Sequence, residues 1–203
     1  MLDTIVPVRD PETERWGLGV EEGGVHALEA LIMARYYMFA QVYYTVVSKA
    51  LELHLNHWLK SEGWRWPAEP RAFLEQDDVT VITRMRTSSD PHARAAIRRG
   101  GHFPLAFETR EHLRNEERQR FEGLLPELSA RFGPGNLLIS HSAKDPHRMA
   151  ASRMLVRRQS GALEPVEQFS HFLRHLARID RYRIYARGEL RDAVATAVEE
   201  RWP

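Results

Sequence analysis

The sequence predicts a mostly helical α+β protein: a long, buried central helix within a helical bundle, followed by a small mixed sheet backed by helices. Three observations carry this reading. Between Gly24 and Gly63 there is neither Gly nor Pro, and from Leu31 to Val47 only Arg35, Gln41 and Thr45 interrupt an apolar run. Further on, apolar residues recur at helical spacing in stretches set apart by turn residues. In the later part of the chain such stretches alternate with short β-rich runs, the pattern of helices packed on a small sheet.

A helix that is apolar on nearly all sides belongs inside a protein or inside a bilayer. The run is about as long as a short membrane span, roughly 17–25 residues. Arg35 near its middle is costly in hydrocarbon, and no second span or leader peptide accompanies it. The expectation is a single buried helix over Val25–Trp58 in a cytoplasmic protein, with no membrane partner.

Composition narrows the function classes. The 203 residues are 43% apolar and 28% charged, enough for a sizeable core, and carry a formal net charge of +1. So small a charge gives no global attraction for nucleic acid or an anionic surface, and no nucleic-acid partner is expected. Cysteine is absent, which removes disulfides, thiol nucleophiles and thiolate metal sites together. Arginine greatly outnumbers lysine; this suits phosphate and carboxylate recognition, although a GC-rich genome gives the same usage.

In order, Leu2–Val8 and Trp16–Val20 read as short strands, with Gly23-Gly24 leading into the central helix. No βαβ unit surrounds these glycines, so they are not a dinucleotide fingerprint. Ser61–Pro70 is a loop, and Arg71–Arg86 reads as one helix. Asp90 is an N-cap ahead of Pro91 at the first helical position, opening a short helix that ends at Gly100-Gly101. His102–Thr109 reads as a strand that Pro104 assigns to an edge. Arg110–Phe132 is a charged amphipathic helix stopped by Gly133-Pro134-Gly135. Strands follow at Asn136–Ser140 and Met154–Arg158, then a helix over Glu164–Ile179, a strand over Tyr182–Ala186 and a closing helix over Glu189–Arg201.

The candidate chemistry centres on Arg35. Residues eight apart on a helix lie within about 80° of each other, so Arg35, Phe39 and Tyr43 share one stripe roughly 12 Å long. A guanidinium beside rings suits a phosphorylated, flat ligand, the fork meeting oxygens and a ring stacking on a base or sugar. The plainer alternative is an arginine paired to an internal carboxylate such as Glu29, with Tyr43 in the core.

Other groups are weaker. His171 and His175 stand i, i+4, His54 and His57 stand i, i+3, and His141, Asp145 and His147 share a loop; none has an evident third and fourth metal ligand. Ser140, His141 and Asp145 lack the exposed elbow a hydrolase nucleophile needs. Arg84, Arg86, Arg94, Arg98 and Arg99 either meet phosphates of a regulatory nucleotide or form a solvated face balanced by Asp77, Asp78 and Asp90.

The stretch GVHALEALIMARYYMFAQVYYTVVSKALE resembles the segment that follows the metal centre in HD-domain deoxynucleoside triphosphate triphosphohydrolases, the group that includes the SAM-and-HD-domain enzymes. A second stretch, AFLEQDDVTVITRMRTSSDPHARAAIRRGGHFPLAFE, resembles the family's next part. Together they cover about residues 16–108; beyond that only a general helix-and-strand pattern is shared. The resemblance implies an HD-type helical part over 1–110 and an α+β appendage over 111–203. It also implies that the positions matching Arg35 and Tyr43 approach a nucleotide's phosphates and its sugar or base, with Phe39 between them. Where relatives carry a histidine this chain reads Thr45, which can donate a hydrogen bond but not a positive charge.

The family's metal is held by a histidine, a His-Asp doublet and a distant aspartate, all before this helix. No His-Asp pair occurs here, and residues 1–24 are too few to build that half. The expectation is therefore a chain with no metal and no catalytic residue of its own. Its substrate-binding residues are Arg35, Phe39, Tyr43 and Thr45, and it completes the pocket of a dNTP-like nucleotide. Its partners would be an HD-motif-bearing chain that supplies the divalent metal, further copies of itself, or both. A stand-alone nucleotide-binding scaffold and a piece of a longer enzyme are the alternatives.

Overall fold

The computed structural model of the protein describes residues 2–144 and 154–202. In chain order the elements are β1 (Ile5–Arg9), β2 (Trp16–Glu21), α1 (Val25–Tyr37), a π-helical segment (Met38–Tyr43), α2 (Val46–Ser61), α3 (Pro70–Leu74), α4 (Asp78–Thr87) and α5 (Pro91–Ile97). Then come β3 (Leu105–Glu108), α6 (Asn115–Phe132), β4 (Leu137–Lys144), β5 (Leu155–Arg157), β6 (Leu163–Pro165), α7 (Val166–Phe169), α8 (His171–His175), β7 (Ile179–Ala186) and α9 (Arg191–Glu199). The class is α+β and mostly helical, as the sequence predicts. Among the described residues, no helix is long and apolar enough to cross a membrane.

The single buried helix expected over Val25–Trp58 does not form. Aromatic and β-branched side chains crowd Tyr36–Val47 and weaken its helix propensity, and Thr45 offers a cap. Thr45 is extended (φ −66°, ψ 154°) and its Oγ1 accepts the Ser48 N–H at 3.3 Å, which starts α2 afresh. Burial differs as well. Val25, Leu28 and Ile32 of α1 are buried, no residue of the π-helical segment is, and Tyr37, Met38, Val42, Tyr43 and Val47 are exposed.

Two further helices are shorter than expected for the same reason. Arg71–Arg86 divides because the Asp77 carboxylate accepts the Thr80 N–H at 2.8 Å and caps α4. Glu164–Ile179 divides into β6, α7 and α8, with Ser170 capping α8 through the Leu173 N–H at 2.9 Å. In each case a side-chain oxygen competes for a backbone donor that a continuous helix would use.

The chain forms two compact units, Met1–Tyr43 with Ala143–Asp180 and Tyr44–Ser142 with Arg181–Pro203. The first contains a four-stranded sheet in the order β1-β2-β5-β6. β1 and β2 form an antiparallel hairpin, and β5 joins β2 in parallel, with Gly19 opposite Leu155. Glycine is required there: a Cβ on Gly19 would stand 2.9 Å from the Leu155 carbonyl oxygen. Val20, Val25, Leu28, Ile32, Val156, Val166 and Leu173 close this core.

The second unit is built on the order β3-β7-β4, and β3 takes the edge that Pro104 implies. One face of β7 sends Tyr182, Ile184 and Ala186 into a core with Phe121 and Leu128 of α6 and Val194 and Val198 of α9. On its other face Tyr185 packs with Leu138 and Ala50 of α2, and its hydroxyl donates to the Val46 carbonyl at 2.9 Å. Buried Arg183 donates to Glu108 and to the Tyr44 carbonyl, so its charge is matched. A third cluster sets Trp58 of α2 against Met85 of α4 and Ala93 of α5.

Candidate functional site

In the first unit, α1 and the π-helical segment bring three of the four predicted residues together. The Arg35 guanidinium carbon lies 4.8 Å from the centroid of the Phe39 ring, and Phe39 lies 5.4 Å from Tyr43. The stripe therefore survives the change from α to π geometry. Arg35 is half-buried, and its Nε is buried with no hydrogen-bond partner. Such orphaned donors are rare, and each costs on the order of 1–3 kcal/mol.

The alternative pairing of Arg35 with Glu29 is not formed. Glu29 accepts the Ser170 hydroxyl and lies 3.0 Å from His26 Nδ1. These two contacts, Ser170 first, hold its carboxyl below the usual range. Tyr43 is 54% exposed, so a ring face is open to a ligand. Thr45 belongs to the second unit, and its hydroxyl is already engaged there, since besides capping α2 it donates to Ser48 Oγ at 2.7 Å.

The second unit holds a basic cavity of about 290 Å³ lined by His92, Arg94, Arg98, Gly101, Phe103 and Arg187. A neighbouring recess of about 550 Å³ shares Gly101, Phe103 and Arg187 and adds His102 and Glu189. Arg187 lies 5.7 Å above the Phe103 ring, and Arg94 donates to the Ser89 carbonyl at 3.0 Å. Of the basic residues singled out in the sequence, Arg94 and Arg98 enter this cavity, whereas Arg84 stacks on Trp64 at 4.7 Å. Arg187 and Phe103 are missed by sequence reasoning, since no local pattern ties the end of β7 to α5.

Behind the cavity is a histidine relay. The Phe103 N–H donates to His54 Nε2 at 3.1 Å, so His54 carries its proton on Nδ1 and donates it to His92 Nδ1, 2.9 Å away. His92 then bears its proton on Nε2. His57 stacks on His92 at 4.8 Å. Burial, reinforced by the nearby His92, His102 and His57, holds His54 down to about 4. Burial also lowers His92.

The remaining histidine groups are only partly described. His171 and His175 face each other at 4.2 Å without a third ligand, and His175 Nδ1 is committed to the His171 carbonyl. Ser140 is buried, and Asp145 and His147 lie outside the described residues. Among the described residues, no three His, Asp or Glu are grouped so as to hold a metal ion.

Residues 8–101, which hold the Arg35 stripe and most of the basic cavity, match the family model described as HD associated region. This links the chain to the HD family. A hypothetical protein from Aquifex aeolicus shares the fold with a TM-score of 0.73 at 23% identity, over 89% of this chain and 47% of that one. A phosphohydrolase from Bacteroides thetaiotaomicron is similar with a TM-score of 0.53 at 18% identity, over 84% of this chain and 52% of its own. The chain thus spans about half the length of each. No curated protein matches it.

Proposed function

We propose that this HD-associated chain supplies the phosphate-and-ring side of a nucleotide site in an HD-family phosphohydrolase, as a non-metal-binding companion to a chain bearing the metal-binding histidines and aspartates. The observation that carries the reading is Arg35, stacked on Phe39 with a buried Nε that lacks a partner. A phosphate oxygen would complete that donor, and the guanidinium would offset phosphate charge. Phe39 and exposed Tyr43 would flank the sugar or base. The ligand class is a deoxynucleoside triphosphate, the setting cytoplasmic, and any divalent metal of the assembly sits on the partner.

The test is binding of a non-hydrolysable deoxynucleotide by the assembled complex. Arg35→Ala should weaken it by about 1.5–3 kcal/mol, the range for a hydrogen bond to a charged group. Unchanged affinity in a folded variant would leave Arg35 a structural residue and end this reading. Phosphate release by this chain alone, with metal bound stoichiometrically, would overturn the companion role. Binding without any phosphate release when the HD chain is present would favour a non-catalytic scaffold.

A second, compatible reading concerns the Phe103 cavity. Arg94, Arg98 and Arg187 converge there beside an aromatic face, which favours a phosphate-bearing regulatory ligand.

A further inference from the structure

We propose that capture of a dianionic, phosphate-like ligand in the Phe103 cavity takes up a proton on His92, making this a proton-linked site whose state is read by the His54 relay. The inference rests on the second reading above, that the cavity holds an anion.

The relay fixes the protonation of both rings. Because the Phe103 N–H occupies His54 Nε2, the His54 proton must sit on Nδ1 and point at His92. His92 Nδ1 can accept it only while unprotonated. Both rings are therefore neutral in this arrangement. His54 is completely buried and cannot accommodate a charge, whereas His92 is half-buried and lines the cavity itself. Of the two, His92 is the one able to gain a proton.

The charged and titratable surroundings of His92 set the sign. From α2, His54 and His57 face it; from its own helix start, Asp90 lies at the cap, its carboxylate accepting the His92 N–H at 2.7 Å. From α5 and beyond β7, Arg94, Arg98 and Arg187 share the cavity lining with it, while His102 and Glu189 stand in the adjoining recess. Asp90 favours a charged His92, whereas His57 and Arg187 oppose it. An anion between the arginines offsets their opposition, so the proton affinity of His92 rises on binding. By linkage, the ligand then binds more tightly as pH falls through the His92 range.

Proton uptake has a structural result. A protonated His92 presents Nδ1–H to the Nδ1–H of His54, and two donors cannot share that 2.9 Å contact. Either the two rings part, or His54 moves its proton to Nε2 and loses the Phe103 N–H. The first outcome breaks the histidine contact, and the second releases the backbone clasp on the ring over which Arg187 lies.

Sulfate is the probe, because it remains a dianion from pH 5.5 to 8 and any pH dependence belongs to the protein. Titrations of the whole chain should give an affinity several-fold higher at pH 5.5 than at pH 8, tenfold being the limit set by a shift of about one pH unit on one group. His92→Asn keeps an oxygen acceptor for His54 but cannot be charged; it should bind sulfate with affinity constant within about twofold over that range. His102→Gln should keep the wild-type slope. In wild-type protein, the NMR titration of the His92 ring should move up by about one unit with saturating sulfate. Sulfate binding of equal strength at both pH values, a slope that persists in His92→Asn, or a His92 titration unmoved by sulfate would overturn the proposal. In those cases an affinity that falls in Arg187→Gln would leave the cavity reading standing. No binding by wild-type protein at either pH would remove the cavity reading and the proposal together.

Discussion

His54 should make the second unit acid-sensitive, in a pH window fixed by its surroundings. In the unfolded chain it titrates near 6.5; in the fold, burial holds it down to about 4. Between these values the unfolded state binds the proton and the folded state does not, so stability rises with pH there. The contribution is complete above about 6.5 and is lost as pH falls toward 4. With those two values, linkage gives a loss of about 2 kcal/mol at pH 5 and about 3 kcal/mol at pH 4, relative to pH 7.5. The assay is urea unfolding of wild type and His54→Gln at pH 7.5 and pH 5. At pH 7.5 the variant is the less stable, because the Phe103 N–H and the His92 acceptor lose well-placed partners. Between the two pH values it should lose about 2 kcal/mol less than wild type. Equal losses in both proteins would refute the claim that a neutral, buried His54 is part of the folded state.

Two other substitutions probe the elements around the candidate site. Thr45→Ala removes the cap on α2 and should cost about 1 kcal/mol by chemical denaturation; no loss would mean that α2 does not depend on that hydroxyl. Gly19→Ala forces a methyl against the Leu155 carbonyl and the Val8 side chain. An overpacked contact of this kind should lower stability by about 1–3 kcal/mol, and a thermal melt equal to wild type would contradict the β2–β5 pairing.

Much of this fold is legible in the sequence where the signal is local. Asp90-Pro91 marks the start of α5, Pro104 assigns β3 to an edge, and apolar periodicity finds α6 and α9. The Arg35–Phe39–Tyr43 stripe is legible because neighbours one turn apart stay in contact even in a π-helical segment. The breaks at Thr45, Asp77 and Ser170 are not found by hydrophobic pattern. Apolar periodicity reports which residues avoid water, whereas a cap is a contest for one backbone donor. Thr45 in particular carries a visible cap signal, a hydroxyl three residues before Ser48, yet it lies inside an apolar run that masks it. The basic cavity is out of reach for another reason: Arg187 meets Phe103, and His54 meets His92, only through tertiary packing. No spacing rule links positions 38 residues apart.

The interleaving of the two units along the chain bears on how the protein is made. The β5 strand that flanks β2 arrives more than a hundred residues after it, and β7, flanked by β3 and β4, is the last of the described strands to leave the ribosome. Neither core can close while synthesis is under way at α6. At that stage the edge of β2 and the side of α2 that packs on β7 stand uncovered, a nascent state open to chaperones and to mispairing.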